Sequence, residues 1–413
     1  MNTKNNAVPK LRFPDFTDAW EQRKLNQISS KVTQKNTDGV YIETFTNSAE
    51  FGIVSQRDFF DKDISNSSNL NGYYVVKHND FVYNPRISNS APVGPIKRNK
   101  LGRTGVMSPL YYVFRTDGIV HEFLETYFSS NHWHRFMEEN GDTGARADRF
   151  AIKDKLFAQM PIPFPIHEEQ TAIGNFFKQL DEAIASHQRK YERMKKLKQS
   201  MLQKMFPRDG EAFPELRFPN FTDAWEQRKL ELLASFTKGN GYSKGDLTNK
   251  GFPIILYGRL YTKYQSVINE VDTFVSNILS STIKSSGKEV IVPASGETAE
   301  DIARASAVIK QDVILGGDLN IITPLPIINP IFLALVLSYG RQQRDLAKCA
   351  QGKSVVHLRN NDLKEVNLIY PTLAEQTAIG NFFKQLDEAI ASHQRKLEHM
   401  QTLKKGLLQQ MFV

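Results

Sequence analysis

Few residues in this chain are spaced for catalysis. Gly352, Lys353 and Ser354 have the form of the end of a phosphate-binding loop, but the position five residues earlier is Ala347 and the required leading glycine is absent. His132 and His134 flank Trp133, and on a helix residues two apart point to different faces, so the pair is a poor metal-ligand set. Cys349 is the single cysteine, which excludes an internal disulfide and a cysteine-built zinc site and fits a reducing cytoplasm. What the chain has in excess is cation. Its 53 Lys and Arg outnumber 45 Asp and Glu, and the net charge of +8 leans toward a polyanionic partner. The chemistry in view is therefore recognition, and the question becomes which elements position the side chains that perform it.

Those elements are repeated. EQTAIGNFFKQLDEAIASHQRK runs from Glu169 to Lys190 and recurs letter for letter from Glu375 to Lys396. As a helix the first copy puts Ile173, Phe177, Leu180, Ile184 and His187 at alternating steps of four and three, and the second does so with Ile379, Phe383, Leu386, Ile390 and His393. The apolar period continues in both to predict helices of about 38 residues, about 57 Å long at about 1.5 Å per residue. Two such exposed stripes are expected to pack on each other, with the histidines fixing register. A second repeat, FTDAWEQRKL, stands at Phe16–Leu25 and Phe221–Leu230, preceded by PKLRFPD from Pro9 and PELRFPN from Pro214. Pro9 to Pro214 is a shift of 205 and Glu169 to Glu375 a shift of 206, so the chain is one unit duplicated in tandem. Thr17 or Asp18, and Thr222 or Asp223, could cap a short helix carrying Trp20 or Trp225, each read as a packing anchor.

Between the repeats the two halves diverge. In the first, Tyr73–Arg86 and Leu110–Thr116 read as strands and His121–Asn140 as a helix; in the second, FPIILYG, KEVIVPA and DVILGGDLNIITP read as strands and Ile331–Cys349 as a helix. Strands followed by a helix, twice, predict an α+β fold. The expected order is a repeated segment over 1–25, a variable domain over 26–166, a helix over 167–206, a linker and repeated segment over 207–230, a second variable domain over 231–373 and a second helix over 374–413. The hinge Phe206–Pro219 is short, so the second helix must run back along the first as an antiparallel coiled coil with pseudo-two-fold symmetry. The longest apolar run, Ile327–Leu337, is interrupted by Asn329 and Pro330 and is too short to cross a bilayer, and the polar start Met1–Lys10 predicts no signal peptide.

An identical frame suggests two copies of one partner, divergent domains suggest two targets, and a stiff rod suggests that the distance between targets matters. A divided DNA site with a fixed gap meets all three. The alternative is a bivalent scaffold whose two divergent domains hold proteins instead of DNA, and salt-sensitive binding to duplex DNA would separate the two.

Through the tandem LRFPxFTDAWEQRKL segments, the EQTAIGNFFKQLDEAI helices and the order domain, helix, domain, helix, the chain resembles a type I restriction-modification specificity subunit. The resemblance covers essentially the whole chain. It implies two target recognition domains that each read one half of a bipartite DNA sequence, helices that set the spacer, and two methyltransferase (modification) subunits together with restriction and translocase subunits as partners. S-adenosylmethionine, ATP and Mg belong by this resemblance to the partner subunits, and this chain has no cofactor and no catalytic residue of its own. The residues agree: the nearest string to the Asn-Pro-Pro-Tyr that holds a flipped adenine is Asn84, Pro85, Arg86, Ile87, which lacks the second proline and the aromatic.

Base edges are read by Arg, Lys, Asn and Gln, with phosphates taken by cations and backbone amides. The candidates are Arg86, Lys97, Arg98, Arg103, Gly144, Arg146 and Arg149 in the first domain, and Tyr257, Arg259, Lys263, Arg304, Gly352, Lys353 and Ser354 in the second. The loops at Arg146 and Lys353 stand out because they fall at matched places in both halves. The second half of the first helix, with Arg189, Lys190, Arg193, Lys195, Lys196, Lys198 and Lys204, is either a solvated flank or a guide for spacer DNA.

Overall fold

The computed structural model describes residues 8–60, 67–143, 148–352 and 355–413. The chain divides into two compact units, Met1–Gln188 with Arg395–Val413, and Arg189–Gln394. The boundaries fall inside the long helices, His167–Lys204 and Leu373–Gln410, each of 38 residues, so each unit contains one variable domain, the start of its own helix and part of the other.

In the first unit a four-stranded antiparallel sheet has the order Ser29–Lys31, Tyr112–Thr116, Phe81–Tyr83, Ile96–Arg98. In the second, four strands of a five-stranded sheet stand in the same order: Ala234–Lys238, Leu319–Pro324, Glu289–Pro293, Ser306–Val308, with Val267–Ile268 added in parallel at the edge. Divergent sequences therefore fill one topology, and in both domains the central strands, Phe81–Tyr83 and Glu289–Pro293, are buried throughout. The second domain adds a four-stranded sheet, with Phe252–Ile255 parallel to Ile314–Leu315, that the first lacks among its described residues.

Each variable domain contains two helices where one was expected. His121–Ser129 ends at Ser130, and His134–Asn140 begins afresh. The break lets the Ser130 hydroxyl donate to Tyr127 O at 2.6 Å and drops Trp133 into the core, its Nε1 donating to Phe128 O and Ser130 O. Pro330–Ser338 and Gly340–Cys349 break at the matching place, where Gly340 takes a φ of 73° that a residue with a side chain rarely adopts. The short helix expected around Trp20 is also displaced: it occupies Leu25–Ile28, and Trp20 lies before the strand Glu21–Lys24, buried as an anchor.

The repeated segments have a common internal use. Strand Glu21–Lys24 pairs antiparallel with Pro161–Phe164, and Glu226–Lys229 with Asn367–Tyr370. Arg12 donates through Nε and Nη2 to the two carboxylate oxygens of Glu169 at 2.7 and 2.8 Å, and Arg217 does the same to Glu375 at 2.7 Å each. Next to each glutamate a buried glutamine ties the helix to the variable domain: Gln170 accepts from Val120 N and donates to Pro165 O, and Gln376 accepts from Asn329 N and donates to Pro371 O. Gly174 is where that domain helix comes closest, since a Cβ there would lie 2.7 Å from Glu122 Cβ.

The heptad positions split into two groups. Ile173 and Phe177, and likewise Ile379 and Phe383, are buried in the core of their own unit, with Phe123 in the first and Phe332 in the second. Leu180, Ile184 and His187, and Leu386, Ile390 and His393, are half-buried. Within the first unit Asp181 accepts from Lys404 Nζ at 2.5 Å and Phe412 lies 6.5 Å from Phe177 between centroids. Within the second, Lys198 meets Asp387 at 2.6 Å and Phe206 lies 6.2 Å from Phe383. No helix among the described residues is long and apolar enough to cross a membrane.

The C-terminal Phe412, 3% exposed, packs on Trp20, Phe123 and Tyr127. Phe412→Ala should cost about 3–5 kcal/mol. Hydrogen exchange should then show amides of the first unit losing protection while those of the second keep it; unchanged protection of the first unit would refute this packing role.

Candidate nucleic-acid interface

After the second sheet strand of each domain the chain makes a short antiparallel contact with the segment leading back to the frame. In the first domain Phe150 N donates to Pro85 O at 2.7 Å and Ile87 N to Asp148 O at 3.1 Å, which sets Arg86 opposite Arg149. In the second, Leu358 N donates to Ala294 O at 3.1 Å and the strands Ser295–Gly296 and Val356–His357 set Ser295 opposite His357. The patterns superpose residue by residue: Pro85 with Ala294, Arg86 with Ser295, Arg149 with His357. This is the same two-stranded ribbon carrying different side chains.

The ribbons are held from behind. Asn84 accepts from Arg86 N through Oδ1 and donates to Asn47 O at 2.8 Å, and the Tyr261 hydroxyl donates to Ser295 O at 2.6 Å. Arg86 is exposed and Arg149 half-buried, and neither has a carboxylate partner among the described residues. In the second domain the Ser295 hydroxyl and His357 Nδ1 are 3.2 Å apart, beside a cleft of about 590 Å³ lined by Lys238, Asp318, Asn320, Arg359 and Asn360.

The other candidates are placed differently. Arg98 is a correction: it is buried against the domain helix, bonded to Glu122 at 3.0 Å and Glu125 at 2.7 Å, and it joins sheet to helix without reaching a ligand. Arg259 is another, buried and paired with Asp272 and Gln265. Lys263 shares Asp272, whose carboxyl these two cations hold far below the usual carboxylate range. Arg103 is clamped to Glu43 by bonds of 2.6 and 2.7 Å, and Arg304 to Asp301 at 2.5 Å. Lys97 is half-buried, and burial with Lys404 nearby lowers its pKa. Tyr257 is exposed. Gly352 has a φ of 144°, and a Cβ there would lie 1.9 Å from Val355 O, so the turn itself requires glycine. Gly144, Arg146, Lys353 and Ser354 lie outside the described residues. On the first long helix Arg189, Lys190, Arg193, Lys195, Lys196 and Lys204 are exposed.

Ser295, His357 and Arg359 were missed by sequence reasoning. Ser295 and His357 are 62 residues apart, and only strand pairing brings them together.

Residues 222–401 match the family model of the type I restriction modification DNA specificity domain. The chain is 20% identical over 320 residues to the type I restriction enzyme MjaVIII specificity subunit of Methanocaldococcus jannaschii, covering 75% of this chain and 73% of that one. The crystal structure of the type I restriction-modification system S subunit from M. genitalium shares the fold with a TM-score of 0.62 at 16% identity, covering 98% of this chain and 99% of that one. Over residues 222–401 the chain therefore resembles the type I restriction modification DNA specificity domain, and over most of its length it is similar to a type I specificity subunit.

Burial lowers the pKa of His121, His132 and His134, all in the first unit. A neutral histidine in the folded state and a protonated one in the unfolded chain mean that stability is fully present above the unfolded value of about 6.5 and is lost as pH falls through it. Hydrogen exchange should show the first unit losing protection relative to the second below about pH 6.5; equal loss in both would contradict this assignment.

Proposed function

We propose that the chain supplies DNA sequence specificity as two readers on one frame. Each variable domain reads one half of a bipartite duplex site, the paired long helices run antiparallel as a pseudo-two-fold spacer, and a modification subunit docks on each copy of the frame. The carrying observation is that one strand order, one arginine–glutamate clasp and one ribbon recur in both units while the ribbon side chains differ. The antiparallel arrangement is supported by matched contacts, Asp181 with Lys404 and Asp387 with Lys198, each member shifted by 206 from its counterpart.

Docking of two identical partners is supported by what remains exposed. Thr17, Asp18 and Glu21–Lys24 are exposed, as are their copies Thr222, Asp223 and Glu226–Lys229, and so are Asn175, Gln179 and Glu182 with Asn381, Gln385 and Glu388. Burial does not account for their identity between halves, since all of them are exposed. In this reading the chain contributes binding energy and geometry and no catalytic group, while S-adenosylmethionine, ATP and Mg act on the modification and restriction subunits.

The test is to co-express the chain with its modification subunit and map adenine methylation on a random-sequence library. A split motif with a fixed gap is expected, and exchanging residues 231–373 for the matching domain of another such subunit should alter one half only. Changes in both halves, or sequence-independent methylation, would overturn the proposal.

A further inference from the structure

Directly opposed residues in an antiparallel pair share a face, with Cβ atoms about 4.5–5.5 Å apart, and like charges there are destabilising. The first domain nonetheless sets Arg86 against Arg149, with no carboxylate partner for either among the described residues. Elsewhere in the same domain the fold neutralises its arginines: Arg98 with Glu122 and Glu125, Arg103 with Glu43, and Arg115 with Asp80. A guanidinium pair left open on a braced ribbon is arranged for acceptors that come from outside the chain.

We infer that this ribbon is the base-reading element of each domain, with Arg86 and Arg149 specifying guanine in the first half-site and His357 with Ser295 specifying the second. The inference rests on the bipartite reading above and assigns its chemistry. A two-stranded ribbon fits the major groove, and an arginine fork donates two bonds to O6 and N7 of guanine, which no other base matches. At the same two positions the second domain has a histidine whose Nδ1 faces the Ser295 hydroxyl, leaving Nε2 for a single bond to a base edge. Lys238 and Arg359 line the adjoining cleft and supply the cations that hold the backbone beside it. Two domains that share a ribbon but differ in its opposed pair read different sequences without altering the frame.

The test uses the complex with its modification subunit and compares methylation motifs of the native chain with Arg86→Gln, Arg149→Gln, the corresponding lysine variants, and His357→Ala. The glutamine variants should relax a guanine position in one half by about fivefold to a hundredfold and leave the gap and the other half intact. Arg86→Lys and Arg149→Lys keep the charge but lose the fork, so they too should relax the guanine position. His357→Ala should relax only the other half. If the native complex yields a split motif and these variants keep it, or lose methylation evenly at every site, the ribbon assignment is wrong. If the native complex yields no split motif, it is the bipartite reading that fails.

Discussion

A carboxylate taken almost wholly out of water must have its charge met on the spot. Glu169 and Glu375 are each 1% exposed in the side chain, and each is met by a two-pronged arginine from a segment more than 150 residues earlier in sequence. Removing one partner of such a buried pair costs about 3–5 kcal/mol, far more than the net worth of the intact pair, because the remaining charge is stranded. The clasp therefore acts as a constraint: wherever the long helix starts, the LRFP segment must lie against it. The adjacent glutamine fixes the variable domain to the same point through backbone groups, so it tolerates any sequence in that domain. In the first unit Trp20 Nε1 adds a third bond to Glu169 at 3.0 Å, whereas Trp225 Nε1 has no partner among the described residues.

On the proposed function, this division of labour lets one frame carry two readers. The EQRK strand pairs with the next strand of the chain after each ribbon, Pro161–Phe164 after Arg149 and Asn367–Tyr370 after His357. The strand after each ribbon is thereby anchored by backbone hydrogen bonds to an element identical in both halves, while the ribbon side chains differ between them. In the proposed reading specificity and stability draw on different atoms, which is the condition for changing one without losing the other.

The long helices were legible because an apolar period of four and three is a strong local signal, and the tandem architecture because identical letters need no physics to detect. The clasp was not legible: Arg12 looks like any surface arginine until the fold closes 157 residues around it. The helix breaks were missed because Ser129-Ser130-Asn131 and Ser338-Tyr339-Gly340 are weak interruptions within strongly apolar stretches, and burial of Trp133 and the turn at Gly340 decided the matter. Sequence also cannot separate cations that serve the fold from those that face outward. Arg98 and Arg86 lie 12 residues apart with equal charge, and the carboxylates of Glu122 and Glu125 claim the first.

The most direct measurement is the methylation motif of the complex carrying Glu375→Gln, which weakens the clasp of the second unit alone. The account predicts that the half-site read by the second domain becomes degenerate or is lost while the first half keeps its sequence. An unchanged motif, or equal loss in both halves, would contradict the claim that each clasp holds its own reader to the frame.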